Sequence, residues 1–223
     1  MLHGSFNKML RETIHESQKC QRNWDLSKDI PQEDKDLIIE AATNSPSKQN
    51  LNYFNVHVIE DRDVIEKIHS YTEGFGPIYK DFDANKTPHE RSKDGQAHYE
   101  KGKEDGKYYT NPQVLGQMLL AFTPNEPSQV REENDSYDQD RDMAIGISAG
   151  YVNVIATQMG YSTGCCKCIS DVSAIGEILG EEPILLMGVG VADAKRDRRE
   201  HHNDPSFTFP SLKQNKKISV NYV

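Results

Sequence analysis

Positive charge is the first shortage. Lys and Arg number 26 against 35 Asp and Glu, which leaves the 223 residues with a formal charge of −9. A phosphate backbone or an anionic membrane needs a basic surface, so a general binder of either is excluded. One cationic pocket for a small phosphorylated ligand is still compatible with that balance. Apolar residues are scarce too, at 35%, which is low for a self-contained globule and predicts long solvated loops or a core completed by a second subunit. No run approaches the roughly 18 apolar residues that cross a bilayer, and the first residues lack the continuous apolar stretch of a secretory signal. Four cysteines, three of them between positions 165 and 168, do not make a disulfide framework. The expectation is a soluble protein of the reducing cytoplasm, binding neither nucleic acid nor membrane. Its length suits a single domain.

What is present reads as helices with a few buried strands. Residues 14–23 predict a polar helix. Pro31-Gln32-Glu33-Asp34 opens a second one, with proline in the first turn and acids against the positive end of the dipole. Leu37, Ile38, Ala41 and Ala42 fall at helical spacing, and Pro46 ends the run by disfavouring helical dihedrals at Ser45. Val56, Val58 and Ile59 suggest a short strand. Met118-Leu119-Leu120-Ala121-Phe122 is a continuous apolar run closed by Thr123-Pro124, and residues 183–191 form a second; both predict buried strands. Residues 143–159 are apolar on most faces and carry small residues at Gly146, Ser148, Ala149 and Gly150, so this helix belongs in a core or a subunit interface. Residues 172–179 predict a shorter helix. Residues 73–111 and the acidic stretch 124–142 contribute little core. The order fits an α+β sandwich better than regular βαβ repetition.

Three constellations could carry chemistry. Ser45-Pro46-Ser47-Lys48-Gln49-Asn50 gathers hydroxyls, an amide and a cation in one turn, suited to a planar heterocycle or a phosphate; Ser and Asn are also ordinary turn residues. Arg196, Arg198 and Arg199 follow the second buried strand, where guanidinium groups could hold a dianion bidentately; Asp193, Asp197 and Glu200 could equally neutralise them in a solvated loop. Arg22, read alone, is equally ambiguous. Gly164-Cys165-Cys166-Lys167-Cys168 has C-x-x-C spacing, with His201-His202 downstream. Zinc or dithiol chemistry using Cys165, Cys168 and His201 is one reading, and packing of buried cysteines behind a loop is the other. No Ser-His-Asp pattern is evident.

Taken in order, four stretches resemble the FMN-dependent nitroreductase family. Residues 18–31 are similar to its N-terminal segment of basic, small and basic residues at alternate positions, followed by an aromatic and an acid. Residues 37–50 resemble its helix and Pro-Ser-x-x-Asn turn. Residues 144–164 resemble its long buried helix and the threonine- and glycine-bearing turn after it. Residues 184–191, with the arginines beyond, resemble its last core strand and phosphate clamp.

The resemblance implies a three-layer α-β-α sandwich with a mixed, mostly antiparallel sheet, dimeric, over residues 1–223. It also implies a polar lid-like insertion at about 71–110 and an extended arm at about 205–223. It places Gln18, Cys20 and Arg22 by the FMN phosphate, with Arg198 or Arg199 near its C-terminal ligands. Pro46, Ser47, Lys48 and Asn50 would approach the flavin from the opposite subunit. Asn111 would meet the pyrimidine edge, and the loop of Lys167 and Cys168 would present a backbone N–H to flavin N5. Three departures stand out: Gln18 replaces an arginine and Cys20 a serine, and Val114 stands where a lysine is common, removing a positive charge expected near flavin N1. The implied activity is ping-pong electron transfer from NAD(P)H, through FMN, to a nitroaromatic, quinone or related small acceptor, with no metal and no protein nucleophile. A flavin-binding protein without turnover is the alternative within the same fold.

Overall fold

The computed structural model describes residues 2–73, 110–127, 136–193 and 218–222, the side chains of residues 2 and 3 excepted. Most of the expected insertion at 71–110, Arg196, Arg198, Arg199, His201, His202 and most of the C-terminal arm lie outside the described residues.

Four strands form one sheet: β1 (Phe54–Ile59), β2 (Met118–Pro124), β3 (Ser162–Cys166) and β4 (Leu185–Gly190), in the order β1-β2-β4-β3. Every neighbouring pair is antiparallel. The parallel component is an isolated bridge from Cys20 to Thr163 on the outer side of β3. The two apolar runs read as strands are β2 and β4, the central pair, where burial on both faces needs continuous rather than alternating hydrophobicity.

Strand alternation divides the core in two. Met118, Leu120, Phe122, Met187 and Val189 face a helical layer through Ile38, Ala42, Ile145, Ala149, Val152 and Ala156. Leu119, Ala121 and Leu186 face the opposite layer, where Trp24, Ile65, Ile68 and Ile175 lie. The first layer holds α2 (Gln32–Thr43) and α4 (Tyr137–Gln158), with α1 (Leu2–Ser17) packed outside α4. The second holds α3 (Arg62–Ser70) and α5 (Val172–Leu179). The result is the expected three-layer sandwich. Side chains fasten the first layer: Ser148 Oγ donates to Ala42 O at 2.6 Å and Thr13 Oγ1 to Gln158 Oε1 at 2.6 Å.

Several boundaries differ from the sequence expectation. The first helix is Leu2–Ser17 rather than residues 14–23, because residues 20–22 leave it to run alongside β3, Gln21 N–H donating to Thr163 O at 2.7 Å. α4 starts at Tyr137, six residues before the apolar run, so the end of the acidic stretch is helical. Asp138 and Asp140 occupy its first turn, where carboxylates favour the positive end of the dipole. Only one side of α4 enters the core, since Met143 is 63% exposed and Tyr151 46%. β3 lies where a turn was expected; its sequence, Ser-Thr-Gly-Cys-Cys, offers almost no β-branched signal.

Candidate functional site

Chemistry-bearing residues collect at the two edges of the sheet. Along the β3 edge, Gln21 Oε1 accepts from the N–H groups of Arg22 and Asn23, both at 2.9 Å, and so turns the segment about its own side chain. The half-buried Arg22 directs Nη1 to Cys20 O at 3.4 Å. Trp24, 2% exposed, donates its indole N–H to Pro112 O at 2.8 Å, joining this segment to the short turn Pro112–Val114.

That turn is seated on missing side chains. Gly164 and Gly188 are register partners on β3 and β4. A Cβ on Gly188 would lie 2.2 Å from Gln113 O, and one on Gly164 would lie 2.6 Å from the same oxygen and 2.7 Å from Gln21 O. Two adjacent glycines thus open a trough in the sheet face that admits backbone. Asn111 caps the turn: its Oδ1 accepts from Gln113 N–H at 3.1 Å. With the oxygen engaged, the carboxamide NH₂ is the side chain's remaining donor. Val114, at the position where the resemblance leads one to expect a lysine, is fully buried in the second core cluster.

Lys167 and Cys168 follow β3 and are both exposed. Their loop is tied to residues 71–73: Glu73 N–H donates to Cys168 O at 3.0 Å, and Thr72 bridges Ile169. Thr72 Oγ1 in turn accepts from Asn111 N–H at 2.9 Å. The structure therefore joins residues 20–22, Asn111 and the loop of Lys167 and Cys168 into one connected assembly.

The remaining expected residues among those described are Gln18 and residues 46–50. Gln18 is exposed just past the end of α1. Residues 47–50 precede β1, the opposite edge strand, three inter-strand spacings or about 14 Å from β3. Ser47 and Asn50 border a cleft of about 730 Å³ with Pro46, Phe54 and Tyr151. Ser47 Oγ donates to Leu51 O at 2.6 Å. Gln49 and Asn50 both have φ of 55°, a left-handed pair that costs non-glycine residues energy and gathers at ligand clamps. Lys48 is committed within the chain, its ammonium 2.6 Å from Asp140 Oδ2, and that contact raises its pKa.

All four cysteines are free thiols. Cys165 points into the first core layer and Cys166 into the second. Burial pushes the Cys165 thiol up to about 12, with Cys20 adding to the rise; burial does the same at Cys166. Thiolate, the form that binds metal or attacks disulfides, is thereby disfavoured at one member of the C-x-x-C pair. Among the described residues no three His, Cys, Asp or Glu side chains cluster to hold a metal ion.

The family model of the nitroreductase family matches residues 16–192. This chain belongs to that family. Its members are flavin-dependent oxidoreductases as a class. No curated protein sequence matches the chain. Solved nitroreductase-family structures share its fold. A nitroreductase family protein from Clostridium novyi is 18% identical, covering 86% of this chain and 90% of its own, with a TM-score of 0.58. Nitroreductase A from Vibrio parahaemolyticus is 14% identical, covering 96% of this chain and 78% of its own, at 0.59. A protein provisionally named an NAD(P)H:FMN oxidoreductase, from Staphylococcus epidermidis, is 17% identical, covering 84% and 89%, at 0.56.

Gln21, Thr72 and Gly188 are members of this assembly that sequence reasoning missed, and Gly164 was read only as part of the cysteine run. Isolated glycines inside strand patterns signal close backbone approach, and Gly164 and Gly188 carried that signal.

Proposed function

We propose that this nitroreductase-family chain is an FMN-dependent oxidoreductase that takes electrons from NAD(P)H and delivers them to a nitroaromatic, quinone or related small acceptor. The observation that carries this reading is the assembly of residues 20–22, Asn111 and the loop of Lys167 and Cys168 along β3. Its donor set suits the cofactor. Arg22 supplies a cation for the phosphate, and Asn111 a carboxamide donor for a carbonyl of the pyrimidine edge. The Lys167 and Cys168 loop offers backbone to the N5 side, so its side-chain identities matter little there. Gln18, Cys20, Arg198 and Arg199 belong to the same proposed phosphate end. Hydride acceptance and release are the chemistry FMN supplies when bound; the protein contributes orientation, electrostatics and an open face. Donor and acceptor would occupy that face in turn, giving ping-pong kinetics.

The active form in this reading is a homodimer, each crevice taking residues 46–50 from the partner. Met143, Gly146, Gly150, Tyr151 and Val154 recur at helical spacing along α4. Among the described residues, apart from the helix's own backbone, nothing lies within 4 Å of where a Cβ would stand on either glycine, and the three larger residues are exposed. A second copy would cover that stripe. Ile218, Val220 and Tyr222, at 80%, 70% and 94% exposure, present alternate apolar residues in an extended tail suited to the same partner.

The deciding experiment is the visible spectrum of protein desalted after incubation with excess FMN, followed by anaerobic titration with NADH and NADPH. Retained flavin that bleaches on titration supports the reading. Retention without bleaching leaves a binding protein, and a colourless eluate removes FMN altogether. Arg22→Ala is expected to lose about 1.5–3 kcal/mol of FMN binding, the worth of a charged hydrogen bond. Sedimentation equilibrium at micromolar concentration tests the shared site, since a flavin-loaded monomer contradicts it.

A further inference from the structure

α3 reaches the Asn111 turn from both of its ends. At its start, Arg62 Nη1 donates to the carbonyls of Leu115 and Gly116 at 3.0 and 2.8 Å, catching the chain as it leaves the turn. Its Nε is held by Glu66 Oε1 at 3.0 Å, one helical turn onward. The two side chains are 14% and 3% exposed, and away from water such a charge-assisted contact holds its geometry more tightly than at a surface.

Just past the helix end, Thr72 is 1% exposed. Its hydroxyl donates to His69 O at 2.7 Å and accepts from Asn111 N–H at 2.9 Å. A hydroxyl has one proton, and giving it to His69 O leaves a lone pair for Asn111. The residues on either side hold the second loop. Glu73 N–H donates to Cys168 O at 3.0 Å, while Ser170 N–H and Oγ donate to Tyr71 O at 2.9 and 2.8 Å. Three consecutive residues thus touch both loops assigned to the flavin ring.

We propose that Arg62 and Thr72 are positioning residues, fixing Asn111 against the loop of Lys167 and Cys168 so that the pyrimidine edge and the N5 side of the ring are gripped by one rigid unit. The proposal rests on the FMN reading above. Neither residue is assigned a contact with cofactor; each acts through the backbone of the turn.

The test is FMN titration of apoprotein, followed by flavin fluorescence, beside urea unfolding of the same samples. Thr72→Val should weaken FMN binding by about 3–10-fold, the ordinary worth of one net hydrogen bond, and Thr72→Ser should restore it. In an Asn111→Ala background, Thr72→Val should add nothing further, because both changes break the same contact path. Thr72→Val that lowers the urea midpoint but leaves FMN affinity at the wild-type value overturns the proposal. Full additivity of the two losses does so too, as does full affinity in Asn111→Ala. Should Thr72→Val fail to fold, Arg62→Lys carries the test: it keeps the charge but loses the fork over two carbonyls. Weakened flavin binding with a near-native midpoint supports the proposal, and unchanged affinity overturns it. Wild-type protein that takes up no FMN defeats the cofactor reading itself, and the positioning role with it.

Discussion

The two edges of the sheet offer opposite solutions to building the half-site proposed for each. At the β1 edge, residues 46–50 are contiguous and largely exposed, and left-handed backbone at Gln49 and Asn50 shapes them. At the β3 edge, segments separated by scores of residues meet through Gln21, Trp24, Thr72 and the trough at Gly164 and Gly188. The first half is written locally and pays in backbone strain. The second is written across the chain and depends on tertiary packing, so damage to the core should reach it first.

The largest effect should come from filling the trough. Gly188→Ala places a methyl 2.2 Å from Gln113 O, and backbone cannot swing aside as a side chain can. A loss of about 3 kcal/mol in urea unfolding is expected, at the severe end of overpacking, with the Asn111 turn displaced. A fall of a single pH unit is a smaller perturbation, and it strikes α3. His69 is fully buried, and burial first, then Arg62, lowers its pKa to about 3. The unfolded chain takes up that proton near pH 6.5, so between there and about 3 the unfolded state binds more protons and acid favours it. Stability should fall by about 1.4 kcal/mol per pH unit through that window from this group alone. Unfolding midpoints measured at several pH values, with His69→Asn flattening the slope, check it.

At the other edge the signs reverse. Gln49→Gly should stabilise by about 0.5–1 kcal/mol, relieving a positive φ that exceeds glycine's entropy cost; a lower melting temperature would mean the side chain matters. The least effect is expected from Asp140→Asn, which releases Lys48. Melting should stay put while tryptic cleavage after Lys48 quickens.

Legibility in the sequence followed the same division. β2 and β4 stood out because strands buried on both faces read as unbroken apolar runs, and α2 because Pro31 and Pro46 bracket it. α3 escaped notice, as did β3, whose cysteines and glycine carry no strand propensity. The Ser-Pro-Ser turn was visible as local chemistry, whereas Arg22 and Asn111 acquired meaning only through family resemblance. Their grouping depends on long-range hydrogen bonds that no local pattern encodes.

The glycine trough has a consequence for anyone reshaping this enzyme. A library that randomises positions 112–114 explores only loops that fit a floor stripped of two side chains. Transplanting the loop into a relative whose strands carry alanine there would fail for reasons invisible in the graft itself. Donor floor and donor loop have to travel together.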